Sequence, residues 1–200
     1  MNRKILYNFR RADPVMYRAA KQIGPLPEIT PRKPREYFAS LCSEIINQQL
    51  ASKAASAIEG RFVALFPRRV VTIKHTLSLT EKTLRNVGMS FAKARFIKDL
   101  AQKVTQKEVQ LDKLQDSEDT TAIQELTKIK GIGPWTAEMF LIFTLGRPDI
   151  FSFGDLGLRR AIEKLYQLSD PSREELETIT IKWSPYRSFA SRILWKVVDG

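Results

Sequence analysis

"KIKGIGPWTAEMF", residues 128–140, decides the fold. It places Gly131 and Gly133 around Ile132 and sets Pro134 directly before a new apolar run. Just upstream, Ile123, Leu126 and Ile129 recur at helical spacing, so the stretch joins two helices through a very short turn. Glycine tolerates positive φ and admits close approach to the backbone, while proline suits the first helical position, where an N–H has no partner in any case. The helix behind Pro134 directs backbone N–H groups and a positive dipole end back at the turn. Two readings of these residues stand together: a tight helix connection with glycine caps, or a backbone clamp for a phosphate.

Outward from the hairpin, helical periodicity continues almost everywhere. "PREYFASLCSEIINQQL" opens with Pro34 and repeats Phe38, Leu41, Ile45 and Ile46 on one stripe. "SKAASAIEGRFVALF" does the same with Ala54, Ala55, Ile58, Phe62 and Leu65 and stops at Pro67. Thr80 is placed to cap "LTEKTLRNVG", Gly88 ends it, and "FAKARFIKDLAQKV" follows. Beyond the hairpin, "LGLRRAIEKLY", "SREELETITIKW" and "YRSFASRILWKVV" are amphipathic. Only "RRVVTIKH" carries any strand character, so the predicted class is all-α.

Bulk properties narrow the function. The 200 residues are 43% hydrophobic and 10% aromatic, a globular composition with length for one domain or two lobes. The single cysteine, Cys42, excludes an internal disulfide, a thiolate zinc site and an iron–sulfur cluster. No run approaches the roughly 18 apolar residues of a membrane span, and the N-terminus lacks a secretory h-region. The expectation is a soluble, intracellular protein, cytoplasmic and nucleoid-associated in a prokaryote or nuclear in a eukaryote. Thirty-three Lys and Arg against 22 Asp and Glu leave a net charge of +11, which favours a polyanionic partner.

Four segments together resemble one family. "LTKIKGIGPWTA" is similar to the hairpin of the helix-hairpin-helix DNA glycosylases, and "RPDIFSFGDLGLRRAI" to the segment that carries their catalytic aspartate. "WSPYRSFASRILW" and "IINQQLASKAA" resemble signatures of the 3-methyladenine DNA glycosylase II branch, in its compact form without an N-terminal β domain. The segments fall in the family's order across residues 38 to 195. The resemblance implies two helical lobes, residues 38–147 and residues 1–37 with 148–200, and duplex DNA in a cleft between them. It implies a monomer that flips and hydrolytically excises alkylated bases such as 3-methyladenine and 7-methylguanine, in base excision repair.

The same resemblance assigns residues. Asp155 matches the catalytic carboxylate, although by position alone it is equally the N-cap of the following helix. Trp135 stands where bifunctional relatives carry a nucleophilic lysine, which implies hydrolysis without lyase chemistry. Trp135, Trp195 and Met139 match the base pocket, where an indole face attracts a cationic purine. Leu50 matches a wedge that fills the space left by the flipped base, with Gln48 and Gln49 on the orphaned partner and Met89 in the minor groove. Lys130, Gly131, Ile132 and Gly133 are expected on a phosphate, and the carbonyls of Thr127, Ile129 and Ile132 on a monovalent cation, Na⁺ or K⁺. No other cofactor is implied. A non-catalytic DNA-binding module and a sister glycosylase for deaminated, oxidised or mismatched bases remain as alternatives. Trp183 reads as core and His75 as a surface residue.

Overall fold

The computed structural model describes residues 3–199. Twelve α-helices follow in chain order: α1 Arg3–Ala12, α2 Pro14–Ile23, α3 Pro34–Asn47, α4 Ser52–Ala64, α5 Ile73–Ser78, α6 Glu81–Asn86, α7 Phe91–Thr105, α8 Asp119–Thr127, α9 Pro134–Phe143, α10 Leu156–Tyr166, α11 Arg173–Thr180 and α12 Arg187–Asp199. No strand is present among the described residues. "RRVVTIKH" is instead a short turn followed by α5. Arg68 and Arg69 take positive φ, 53° and 58°, which breaks an extended run, and the Thr72 hydroxyl accepts the His75 N–H at 3.3 Å to start the helix. No helix among the described residues is long and apolar enough to cross a membrane.

The chain divides into two compact units, Pro31–Leu145 and Met1–Thr30 with Gly146–Gly200. In the first, α3 packs against α4, α7 and α9, and buries Tyr37, Phe38, Leu41, Cys42, Ile45 and Ile46. Each large side chain so buried contributes roughly 2 kcal/mol. Tyr37 meets Phe140 of α9 edge to face, with ring centroids 5.6 Å apart. His75 is half-buried rather than a surface residue, because its Nε2 lies 3.0 Å from the Leu65 carbonyl and its ring packs beside Phe66. Burial in apolar surroundings pushes the Cys42 thiol up, so it behaves as a small hydrophobe.

The second unit is organised around Asp13, whose buried carboxylate caps α2 through the N–H groups of Val15 and Met16. Its other oxygen accepts the Tyr166 hydroxyl at 2.5 Å and the Trp183 indole N–H at 2.8 Å. Every such bond matters, because an unpaired charge there is strongly destabilising. Trp183 is fully buried, the core role expected for it. The segment 147–150 is pinned to the start of α12: Arg187 grips both Asp149 oxygens at 2.9 and 3.0 Å, and Ser188 bonds the Ile150 N–H and the Arg147 carbonyl. Burial raises the Asp149 carboxyl, yet the bonds from Arg187 and Ser184 outweigh it and hold the group below the usual range. This clamp gives "WSPYRS" a physical task, since it fixes the chain that leads into Asp155.

Candidate nucleic-acid interface and carboxylate site

The hairpin between α8 and α9 closes through the Ile132 N–H, which donates to the Ile129 carbonyl at 3.1 Å. Gly131 has φ of +83°, and a Cβ there would fall 2.1 Å from the Phe96 ring, so only glycine fits. Gly133 differs. Its φ is −91°, and a Cβ would meet nothing within 4 Å, so the protein's own packing does not require glycine at this position. The face left bare is the approach to the first turn of α9.

Two of the expected phosphate ligands, Lys130 and Ile132, have their backbone donors engaged within the protein. The Lys130 N–H donates to Asp99 Oδ2 at 2.9 Å, and its ammonium lies 3.8 Å from the other Asp99 oxygen. The Ile132 N–H closes the turn, and the Ile132 side chain is buried. These two backbone donors therefore serve the hairpin itself, and with Gly131 turned against Phe96, Gly133 is the glycine whose bare face is open. Asp99, not anticipated from sequence, braces the turn from α7 together with Lys103, whose ammonium bonds the Lys128 carbonyl.

Leu50 stands at the turn after α3 and is 37% exposed, an uncommon position for a leucine. Gln49 before it has φ of +56°, a left-handed conformation that costs a non-glycine residue about 1 kcal/mol and turns the chain sharply outward. Lys93 holds this turn in place by donating to the carbonyls of Ile46 at 2.9 Å and Gln48 at 2.6 Å. Gln48 does not extend outward: its amide donates to the Gly131 carbonyl at 2.8 Å and to Thr136 Oγ1 at 3.3 Å. It ties the Leu50 turn to the hairpin, a bracing task not anticipated from sequence.

These elements enclose an open cavity of about 580 Å³, lined by Glu44, Asn47, Gln48, Gln49, Leu50, Gly131, Trp135 and Thr136. Trp135, 45% exposed, lies at the start of α9, and a half-exposed indole beside an exposed leucine forms a surface suited to stacking. Met139 is 5% exposed and does not line this cavity: one turn beyond Trp135, α9 has passed into the apolar interior. Met89 is 4% exposed, so its side chain is packed inward and the loop offers Ser90 and Phe91 to solvent instead. The Arg85 guanidinium stacks 4.0 Å over the exposed Phe91 ring.

In the other unit, Asp155 is the N-cap of α10, with Oδ1 accepting the Leu158 N–H at 2.9 Å. Trp195 of α12 donates its indole N–H to Oδ2 at 3.2 Å. Trp195, expected in the base pocket, is half-buried, packs against the core of this unit and bonds the carboxylate. Gly157 completes the arrangement and was not singled out from sequence. A Cβ on it would lie 3.1 Å from Asp155 Oδ1 and 3.5 Å from the Trp195 ring, so its bare backbone keeps room for both.

A braced hairpin with an open glycine face, on a chain of net charge +11, defines a helix-hairpin-helix protein that handles nucleic acid. Comparison with known proteins narrows the class: residues 42–185 match the HhH-GPD superfamily of base excision DNA repair proteins, and the chain belongs to that family. It is 33% identical over 162 residues to YfjP of Bacillus subtilis, covering 78% of this chain and 56% of YfjP's length. It is 30% identical over 188 residues to the Schizosaccharomyces pombe alkylbase DNA glycosidase-like protein mag2, covering 88% and 84%. Among solved structures, a DNA-3-methyladenine glycosidase from Bacillus halodurans is similar, with TM-score 0.85 and 34% identity, covering 98% and 89%. The S. pombe 3-methyladenine DNA glycosylase Mag1, in complex with abasic DNA, gives TM-score 0.78 and 28% identity, covering 96% and 95%.

Proposed function

We propose that the protein is a monofunctional DNA glycosylase that hydrolyses the N-glycosidic bond of alkylated purines, of the 3-methyladenine and 7-methylguanine type, in duplex DNA. The observation that carries this reading is the mounting of Asp155, fixed by the Leu158 N–H on one oxygen and the Trp195 indole on the other. Cleavage of the bond develops positive charge on C1′ and the ring oxygen. A carboxylate that is already oriented stabilises that charge more in the transition state than in the ground state, with no reorganisation during the reaction. The same carboxylate can orient or deprotonate the attacking water.

Leu50 and Trp135 supply the preceding step. Extrusion of a base costs a few kcal/mol, and an apolar wedge in the vacated stack offsets part of it. A formally cationic alkylated purine gains from stacking on an indole face, and its bond is already weakened. Gly133 lets a phosphate approach the start of α9, where the helix dipole favours an anion. The carbonyls of Thr127, Ile129 and Ile132 would hold a monovalent cation; that of Ile129 accepts the Ile132 N–H and keeps a second lone pair for it. It would add positive charge beside the phosphate.

Hydrolysis rather than lyase chemistry follows from the same hairpin. Trp135 offers no nucleophile, and the flanking lysines are engaged, Lys128 with Glu125 and Lys130 with Asp99. A panel of duplexes carrying 7-methylguanine, uracil, 8-oxoguanine or a T·G mismatch tests the reading. Free 7-methylguanine without strand scission, and no borohydride-trapped adduct, is expected. Release confined to another lesion, or a trapped lysine adduct, contradicts it.

A further inference from the structure

The unit that carries Asp155 has a cavity of its own, away from the residues described so far. α1 reads RKILYNFRRA, with four basic residues and no acidic one. Ile5 and Phe9 are buried, which turns Arg3, Lys4, Tyr7 and Arg11 to the exposed side of the helix. Together with Pro185 and Tyr186 these four line an open cavity of about 750 Å³. Asn8 ties α1 to the loop that carries Pro185, donating from Nδ2 to the Ser184 carbonyl at 3.4 Å. Tyr186 is half-buried, its ring set edge to face against Phe189 with centroids 6.2 Å apart. Among the described residues, no carboxylate lines this cavity.

We propose that this cavity binds single-stranded nucleic acid, with phosphates on Arg3, Lys4 and Arg11 and an unpaired base on the Tyr7 ring. It uses none of the residues on which the glycosylase reading rests, so the two stand or fall separately.

Three features select this ligand. The cations call for an anion, and two of them do not serve the helix: Arg3 and Lys4 stand in the first described turn, the end at which the helix dipole disfavours positive charge. Arg3 and Arg11 lie roughly 12 Å apart along the helix axis, so the charges form a track rather than a point. A strand rising about 3.4 Å per nucleotide lays about three phosphates along that length. Between the charges stands Tyr7, 62% exposed. The Arg11 guanidinium lies 5.8 Å from the centroid of its ring, and the pair offers a flat, positively charged platform of the kind on which unpaired bases stack. A duplex keeps its base faces inside the stack and shows only their edges in the grooves, so it has nothing to lay on this ring. An acidic peptide satisfies the cations and leaves the tyrosine rings and the proline without a planar partner.

The test is fluorescence anisotropy of a fluorescein-labelled oligodeoxythymidine with the full chain, alone and beside saturating unlabelled duplex. The wild type is expected to bind the oligonucleotide in both conditions. Tyr7→Ala, at an exposed position, is expected to weaken oligonucleotide binding about fivefold or more and duplex binding less than about twofold, while Tyr7→Phe retains both. Arg3→Gln combined with Arg11→Gln is expected to reduce the slope of log affinity against log salt by about 0.7 for each charge removed. With iodouracil in the oligonucleotide, photocrosslinks are expected on Tyr7 or Tyr186. The proposal is overturned by a wild type that does not bind the oligonucleotide, by complete displacement with duplex, by crosslinks confined to the hairpin or the Leu50 turn, or by undiminished affinity in Tyr7→Ala. It is also overturned if polyglutamate displaces the oligonucleotide as well as unlabelled oligodeoxythymidine does, which makes the cavity a site for acidic peptide. None of these results touches the reading of Asp155, whose own test is base release.

Discussion

The Trp195 indole donates its N–H to Asp155 Oδ2 at 3.2 Å, across 40 residues of chain. With Leu158 on Oδ1, the two oxygens are fixed by different helices, so the helix cap and the positioned carboxylate are one arrangement. Trp195→Phe retains most of the apolar contact and removes this donor. Base release is expected to fall about tenfold, with duplex affinity within roughly twofold of wild type, as read by single-turnover kinetics and fluorescence anisotropy.

Gly157 sits in the first turn of α10, where alanine ordinarily strengthens a helix by up to about 1 kcal/mol. Here the added methyl lies 3.1 Å from Asp155 Oδ1. Gly157→Ala is therefore expected to keep or raise the melting temperature and still lose roughly tenfold or more in base release, because a small displacement of the carboxylate is costly. A loss of stability with undiminished activity per folded molecule contradicts this account.

The two hairpin glycines are expected to separate in the same way. Gly131→Ala forces a methyl into Phe96 at a positive φ and is expected to destabilise by roughly 2 kcal/mol or more in a denaturant titration. Gly133→Ala adds a methyl in open space, so stability stays within about 0.5 kcal/mol. Its duplex affinity is expected to fall severalfold at fixed salt, since the backbone is no longer bare where a phosphate approaches.

Glu44 predicts how stability depends on pH. Burial first, and then the like charge of Glu59, raise its carboxyl from 4.5 to about 7 in the folded chain, so between those values the native state binds more protons than the unfolded state. This part of the stability is fully present below the unfolded value and is lost as pH rises through about 7. Glu44→Gln is expected to remove that slope, gaining roughly 1 to 3 kcal/mol over wild type at alkaline pH and little at acid pH. Thermal melts at matched ionic strength, one on each side of the transition, measure the difference.

What the sequence disclosed followed local rules. Helix periodicity, the Thr80 and Asp155 caps, the Pro134 start and the glycine turn are properties of neighbouring residues, and the structure carries them as read. Exposure of Leu50 and Trp135 against their apolar character was accessible only through the family resemblance. What escaped depends on distant partners. Asp99 meets Lys130 across 31 residues, and Gln48 meets Gly131 across 83, so neither bracing contact leaves a periodic trace. Met89 was placed at the minor groove by analogy, whereas packing turned it inside. Glu44 resembles an ordinary polar residue on the outer face of an amphipathic helix until the hairpin is seen across the cavity from it.

The central claim is that the Asp155 carboxylate drives bond cleavage and that DNA binding does not depend on it. Single-turnover release of 7-methylguanine from methylated duplex, wild type against Asp155→Asn at one salt concentration, tests it most directly. The asparagine preserves an acceptor for Leu158 and removes the charge, so the rate is expected to fall at least about a hundredfold while duplex affinity changes less than about threefold. An Asp155→Asn protein that binds the duplex and still releases base at the wild-type rate would contradict the account.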